Sequence, residues 1–315
     1  MPPGTRFLQR PSTPSLLLLI LALGLNVALA PQLLNPASLA AVFFSFLPLI
    51  LLAAGQTVVV LAGGIDLSVG ALVTLVSVTV VTRFGAAPAG RDIPAALAAG
   101  LAVGLGCGAI NGLCITALRL QPIITTFATS FLWSGLALWV LPRPGGAVPD
   151  LYTSTWHGAV VTPFLVIVLL ISGWALFRRT RGARFLYAAG GDPVASFASG
   201  LPVDRLRVLS YVAGGCFAAL AAFAIVAETG TGDPLIGQPL TLPSITAVVL
   251  GGTALAGGWG SLEGSVFGAI LLGVFRNIIF FLGVPSQMQT LVEGGVIMLA
   301  LAGSSLAARA FGRQA

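Results

Sequence analysis

The stretch LAGGIDLSVG, residues 61 to 70, sets one carboxylate, Asp66, between two apolar blocks. An acid at mid-membrane costs roughly 2.5 to 3.5 kcal/mol on insertion scales. At the start of a helix its oxygens accept backbone N–H bonds instead, and the helix dipole favours its charge. Asp66 follows the Gly63-Gly64 turn and precedes Leu67, Ser68, Val69 and Gly70, so it stands where a helix begins. Two readings follow: a helix cap, or a gate residue that orders the inner mouth of a pathway. Glu263, in the first turn after Gly257-Gly258, is its counterpart in the gate reading. Arg276, inside GVFRNIIFF, is the second costly charge, because a guanidinium is not neutralised as an amine can be. It either snorkels to the outer interface or lines an aqueous cavity with Asn277. Gln56, Asn111, Thr125, Thr126 and Ser130 are further polar residues within apolar runs, each read first as interhelical glue and second as pathway lining.

These groups sit in a chain built for lipid. Its 315 residues are 57% hydrophobic and 8% charged, with a mean hydropathy of +1.02, against about 25% charged residues in a soluble domain. All fifteen basic residues are Arg, and most flank apolar runs, which reads as membrane topology rather than a phosphate-binding surface; no nucleic-acid partner is expected. A Walker A loop requires a lysine and the chain has none, so it is no P-loop ATPase. Cys107, Cys114 and Cys216 fall inside apolar runs and read as small core residues. With His157 the single histidine, neither a metal site, a cofactor nor a catalytic triad is expected.

Apolar runs at about 15 to 34, 39 to 62, 67 to 82, 94 to 118, 122 to 141, 159 to 177, 207 to 227, 241 to 256, 263 to 282 and 287 to 305 read as ten helices of an all-α polytopic membrane protein, a single transmembrane domain over 1 to 315. The eighth is short and Gly-interrupted, a candidate for a broken or re-entrant element. With both termini cytoplasmic, eleven Arg face inward and three outward, as the positive-inside rule asks. The first run ends Ala28-Leu29-Ala30 like a cleavable signal peptide; we read it as a retained helix. The longest polar segment, 178 to 207, is placed inside by its Arg residues. Within it DPVASFASG predicts a short helix with Asp192 as N-cap, Pro193 in the first turn and Gly200 as stop. That helix is either a docking surface for another protein or part of a solvated loop.

Residues 61 to 73 align without gaps on 255 to 267, sharing Leu-Ala-Gly-Gly and the Gly70/Gly264 match; the echo is either a parallel pseudo-repeat or a chance match in Gly-rich sequence. Gly100, Gly104, Gly108 and Gly112 recur every four residues, a bare helix face on which another backbone packs.

Together GQTVVVLAGGIDLSVGALV, GAINGLCITALRLQPIITTFATSFLWSGLAL, GGDPVASFASGLPVDRLRVLSYVAGG and AVVLGGTALAGGWGSLEGSVFGAILLGVFRNIIFFLGV resemble the membrane permease subunits of ribose-type ABC importers, over nearly all of residues 40 to 303. The resemblance implies two permease subunits forming the pathway, a cytoplasmic ATPase that drives it, and a periplasmic binding protein that delivers a monosaccharide or similar polyol across the bacterial inner membrane. It also makes 178 to 207 the ATPase-coupling element, with Gly191, Asp192, Ala195, Ser199 and Gly200 at its core. Ile278-Ile279 after Arg276-Asn277 depart from the family's usual Gly-Leu, so pathway contacts there transfer least. The rival is a proton- or sodium-coupled transporter, with Asp66 and Glu263 as coupling sites.

Overall fold

Long apolar runs bounded by Pro, Gly and Asn satisfy their backbone groups internally, which in lipid means helices. A computed structural model describes residues 13 to 85 and 87 to 285, with a few positions between 288 and 298. The tenth run, 287 to 305, therefore lies largely outside the described residues, as do both termini. Among the described residues the chain is all-helical: α1 Thr13–Leu29, α2 Pro36–Leu61, α3 Val69–Phe84, α4 Ile93–Ala117, α5 Pro122–Val140, α6 Asp150–His157, α7 Thr162–Phe177, α8 Arg181–Gly191, α9 Pro193–Ala198, α10 Val203–Thr229, α11 Thr241–Leu250 and α12 Leu262–Phe281. Five helices are long and apolar enough to cross a membrane by length and composition, or six if α7 and α8, bent by 83° at a short break, count as one. Three shorter apolar helices accompany them.

The 26-residue α2 is the central post. Asn35 starts it by accepting a hydrogen bond from Ala37 N at 2.9 Å. Leu47, Leu51 and Leu52 pack into a core shared with α3 and α10, while Ile50, Ala53 and Ala54 pack into a second core with α12. A helix apolar on all sides is buried on all sides. By contrast α5 leaves Phe127, Phe131 and Trp139 exposed on its outer face.

The bare face of α4 meets α10 as expected from its spacing. A Cβ on Gly104 would lie 2.5 Å from Gly215 O, one on Gly112 would lie 2.8 Å from Val208 Cα, and one on Gly108 would overlap Tyr211 O. The two backbones touch there.

Loops segregate to two ends. At one end Gly145 and Gly232 exchange backbone hydrogen bonds of 2.9 Å, and Tyr152 Oη donates to Phe223 O at 2.8 Å. At the other, Gly258 N donates to Leu61 O at 3.2 Å, Arg178 pairs with Glu263 at 3.0 Å and Arg119 with Asp204 at 3.3 Å.

Two elements differ from the sequence expectation. The eighth run is helical only over Thr241–Leu250. Ahead of it a non-helical strap descends alongside α3: Gly232 packs beside Val81, and Gly237 N donates to Thr74 Oγ1 at 3.0 Å. The strap has left the helical ladder, and a side-chain hydroxyl supplies the missing acceptor. The segment 178 to 207 is no plain loop, since the amphipathic α8 precedes α9 and buries Ala183, Leu186 and Ala189.

Gly108→Val is expected to lower stability by about 1 to 3 kcal/mol through overpacking, read as a lower unfolding midpoint in detergent. Gly106→Val, on the same helix with nothing within 4 Å of its Cβ position, is expected to leave that midpoint unchanged.

Candidate functional site

Between α2 and α3 the chain leaves the helical ladder for residues 62 to 68, and the polar groups freed there find partners on three other helices. Asp66 is fully buried. Its Oδ1 accepts from Ser68 N at 2.7 Å and from Ser68 Oγ at 2.6 Å. Asn111 Nδ2 on α4 donates to Ser68 Oγ at 2.8 Å, extending the chain of hydrogen bonds to a second helix. Thr126 Oγ1 on α5 accepts from Leu67 N at 3.0 Å and donates to Ile65 O at 3.3 Å. Tyr211 Oη on α10 also donates to Ile65 O, at 3.3 Å. Asp66 Oδ2 and Asn111 Oδ1 have no hydrogen-bond partner among the described residues. An unpaired buried acceptor costs about 1 to 3 kcal/mol, so this loop holds polar capacity that its resting contacts do not use. Asp66 bonds no amide inside α3, whose N-cap residue Ser68 makes no side-chain capping bond; it turns the chain onto Ser68 just ahead of the helix, as the centre of a cluster joining α3, α4, α5 and α10.

The echoed loop, 251 to 261, lies against this one. A Cβ on Gly257 would lie 2.9 Å from Gly63 Cα. Ser261 caps α12 by accepting from Gly264 N at 3.2 Å. Glu263 follows in the first turn, and its Oε1 accepts from Arg178 Nη1 at 3.0 Å. Glu263 is thus half of an ion pair with the end of α7, whereas among the described residues no cation pairs with Asp66. Gly70 lies on α3 where the strap arrives: a Cβ there would overlap Gly237 O and Thr241 Oγ1.

The DPVASFASG stretch has the local form its sequence predicts. Asp192 Oδ1 accepts from Ala195 N at 2.9 Å, Pro193 opens α9, Ser199 Oγ donates to Ala195 O at 2.8 Å, and Gly200 ends it at φ +80°. Gly191 closes α8, one residue before the cap. On this short helix Val194 is 79% and Phe197 73% exposed, an apolar pair presented outward from a polar, Arg-bordered segment.

The remaining polar residues do not gather in one place. Arg276 and Asn277 line a cavity of about 460 Å³ at the opposite end from α9, walled also by Ser45, Glu228, Thr229 and Phe280. Gln56 is buried on α2, with neither amide atom partnered among the described residues. Thr125 donates to Gln121 O at 2.9 Å, within its own helix. Asn111 belongs to the Asp66 cluster.

Compared with known proteins, residues 38–301 match the family of branched-chain amino acid transport system / permease components. The chain belongs to this permease family. The permease is 34% identical over 264 residues to the ribose import permease protein RbsC of Escherichia coli (strain K12), covering 80% of each chain. It is 36% identical over 275 residues to the fructose import permease protein FrcC of Rhizobium meliloti, covering 79% of this chain and 72% of that one. It is 30% identical over 298 residues to the autoinducer 2 import system permease protein LsrD of Salmonella paratyphi B, covering 91% and 88%. No solved structure matches it. As a permease component without any lysine it is not itself an ATPase. Sequence reasoning missed Tyr211, Tyr187 and Gly190, which carry contacts to loops far away in the chain; a lone Tyr or Gly in an apolar or amphipathic run gives no sign of such a partner.

Asp66→Ala removes the acceptor for two donors of Ser68. We expect normal membrane insertion with uptake lowered about tenfold, within the range by which residues of a coupled network act. Asp66→Asn, which keeps an acceptor oxygen, is expected to retain more uptake than Asp66→Ala. Wild-type uptake by Asp66→Ala would reduce the residue to a dispensable turn residue.

Proposed function

We propose that this permease carries a monosaccharide or similar small polyol across the bacterial inner membrane, using ATP hydrolysed by a separate cytoplasmic subunit. The observation that carries the reading is α9: a capped helix at the Arg-rich end, presenting Val194 and Phe197 outward, with the chemistry of a protein docking site. The relatives named for ribose and fructose import support the cargo class, and the autoinducer 2 relative extends it to other small polyols. The cavity lined by Arg276 and Asn277 offers the hydroxyl, amide and guanidinium groups that bond a neutral polyol.

In this reading a periplasmic binding protein delivers the solute to the cavity end, and a second permease subunit, identical or related, completes the pathway. Residues 1 to 315 form one transmembrane domain of about ten spans with both termini cytoplasmic. The segregation of loops to two ends and the eleven-to-three Arg bias support that topology. The mutual approach of the Gly63 and Gly257 loops supports a parallel pseudo-repeat. Asp66, Ser68 and the glycines beside them form the inner gate. Gln56, Asn111 and Thr125 line the pathway only in a conformation other than this one, since here they are apart from the cavity.

The competing ion-coupled mechanism draws on the unpartnered oxygen of buried Asp66. Uptake of labelled ribose in vesicles separates the two. We expect loss with vanadate and survival with a protonophore; the reverse result removes the ATP-driven reading.

Docking on α9 has its own test. Phe197→Asp and Val194→Asp place charge on the exposed apolar pair, and each is expected to reduce ATPase co-purification about tenfold, as loss of a central apolar contact does. Undiminished co-purification by the double variant would remove α9 from the interface.

A further inference from the structure

We infer that a three-way backbone contact between residues 61 to 64, 190 to 191 and 257 to 258 converts movement of α9 into movement of the Asp66 loop, with Gly258 and Tyr187 as positioning residues for transport. The inference rests on α9 being the ATPase-docking helix.

Only Asp192 separates the end of α8 from the start of α9, so a displacement of α9 pulls directly on Gly190 and Gly191. Both glycines are in contact with the paired loops. A Cβ on Gly190 would overlap Leu61 O and lie 2.9 Å from Gly258 N. One on Gly257 would lie 2.8 Å from Gly190 O and 2.9 Å from Gly63 Cα, and one on Gly258 would lie 2.5 Å from Gly191 N. The third side closes through Gly258 N donating to Leu61 O at 3.2 Å. Three main chains thus meet with no side chain between them. Such a contact has little compliance, because close-packed interiors transmit displacement rather than absorb it.

The same arm is tied at two more points along its length. Tyr187 Oη donates to Gly260 O at 2.8 Å, and Arg178 ahead of α8 pairs with Glu263 at 3.0 Å. On the far side of α9, α10 begins at Val203, and its Tyr211 reaches Ile65 O at 3.3 Å. The chain entering α9 and the chain leaving it therefore both bear on residues 61 to 65. The next residue along is Asp66, whose Oδ1 sets Ser68 and, through it, Asn111. A tilt of α9 must shift the loop against α4 and α5, and the unpartnered oxygens of Asp66 and Asn111 leave this cluster a second bonding arrangement to move to. The permissive backbone is needed here as well as the space, since Gly257 and Gly258 lie at φ +93° and +67°.

The test uses the whole importer in liposomes, permease with its ATPase subunit and binding protein. ATP hydrolysed per solute taken up is measured alongside the ATPase subunit retained. Gly258→Ala, which forces the arm and the loop apart, is expected to keep the ATPase subunit bound and hydrolysing while ATP per solute rises about tenfold. Tyr187→Phe removes one hydrogen bond and adds no bulk, and is expected to raise the ratio about two- to threefold. Gly173→Ala on α7, with nothing within 4 Å of its Cβ position, is expected to keep the wild-type ratio. A merely structural contact would lower hydrolysis and uptake together; an unchanged ratio in both Gly258→Ala and Tyr187→Phe overturns the inference. Where Gly258→Ala does not assemble, Tyr187→Phe alone decides. Failure of the docking premise is seen separately, as charged variants of Val194 and Phe197 that still hold the ATPase subunit.

Discussion

Every main-chain amide and carbonyl that leaves a helix within lipid must be met by another protein group, because the hydrocarbon offers none. This chain leaves the ladder inside the bundle at two places that matter, residues 62 to 68 and the strap and loop flanking α11. At the first, Asp66, Thr126 and Tyr211 take up the freed groups. At the second, Thr74 accepts from Gly237 N and Thr253 accepts from Ser261 N. Several polar residues of this apolar protein are spent where the backbone is irregular. That places them where a conformational change has the fewest hydrogen bonds to break.

Close approach is the second consequence of the same economy. With no hydrophobic force to press helices together in lipid, packing and backbone contact hold the bundle. The α4–α10 crossing and the contact around Gly190 both use glycine so that main chains touch. They serve different ends. The α4–α10 face is one long seam between two regular helices, whereas Gly190, Gly257 and Gly63 join two irregular loops to the end of α8, just beside the outward-facing α9. One fixes the frame, and the other lies where, on the proposed docking at α9, force from a partner would enter it.

Charge is distributed to match. Arg178 with Glu263 and Arg119 with Asp204 lie at the α9 end. Their side chains are partly exposed and, as pairs of that kind, contribute little to stability. At the opposite end Arg276 faces the cavity with Asn277. Among the described residues Asp66 alone places a carboxylate in full burial, with hydroxyl, amide and main-chain donors around it instead of a cation.

The sequence by itself determined what is local. Hydrophobic runs located the five long apolar helices to within a few residues, Asp192, Pro193 and Gly200 located α9, and the four-residue glycine spacing announced a bare face on α4. Asp66 announced itself as an unusual acid at a helix start. These depend on neighbours a turn or two away, so their signals lie within a short window of sequence. Only the tertiary structure decided what meets what: that Tyr211 and Thr126 reach across 146 and 61 residues to Ile65, that Gly190 lies between the two echoed loops, and that α8 is a helix whose apolar side is covered. Such contacts arise where remote segments are brought together by the packing of whole helices, and neither residue of a pair carries any mark of the other in its own stretch of sequence.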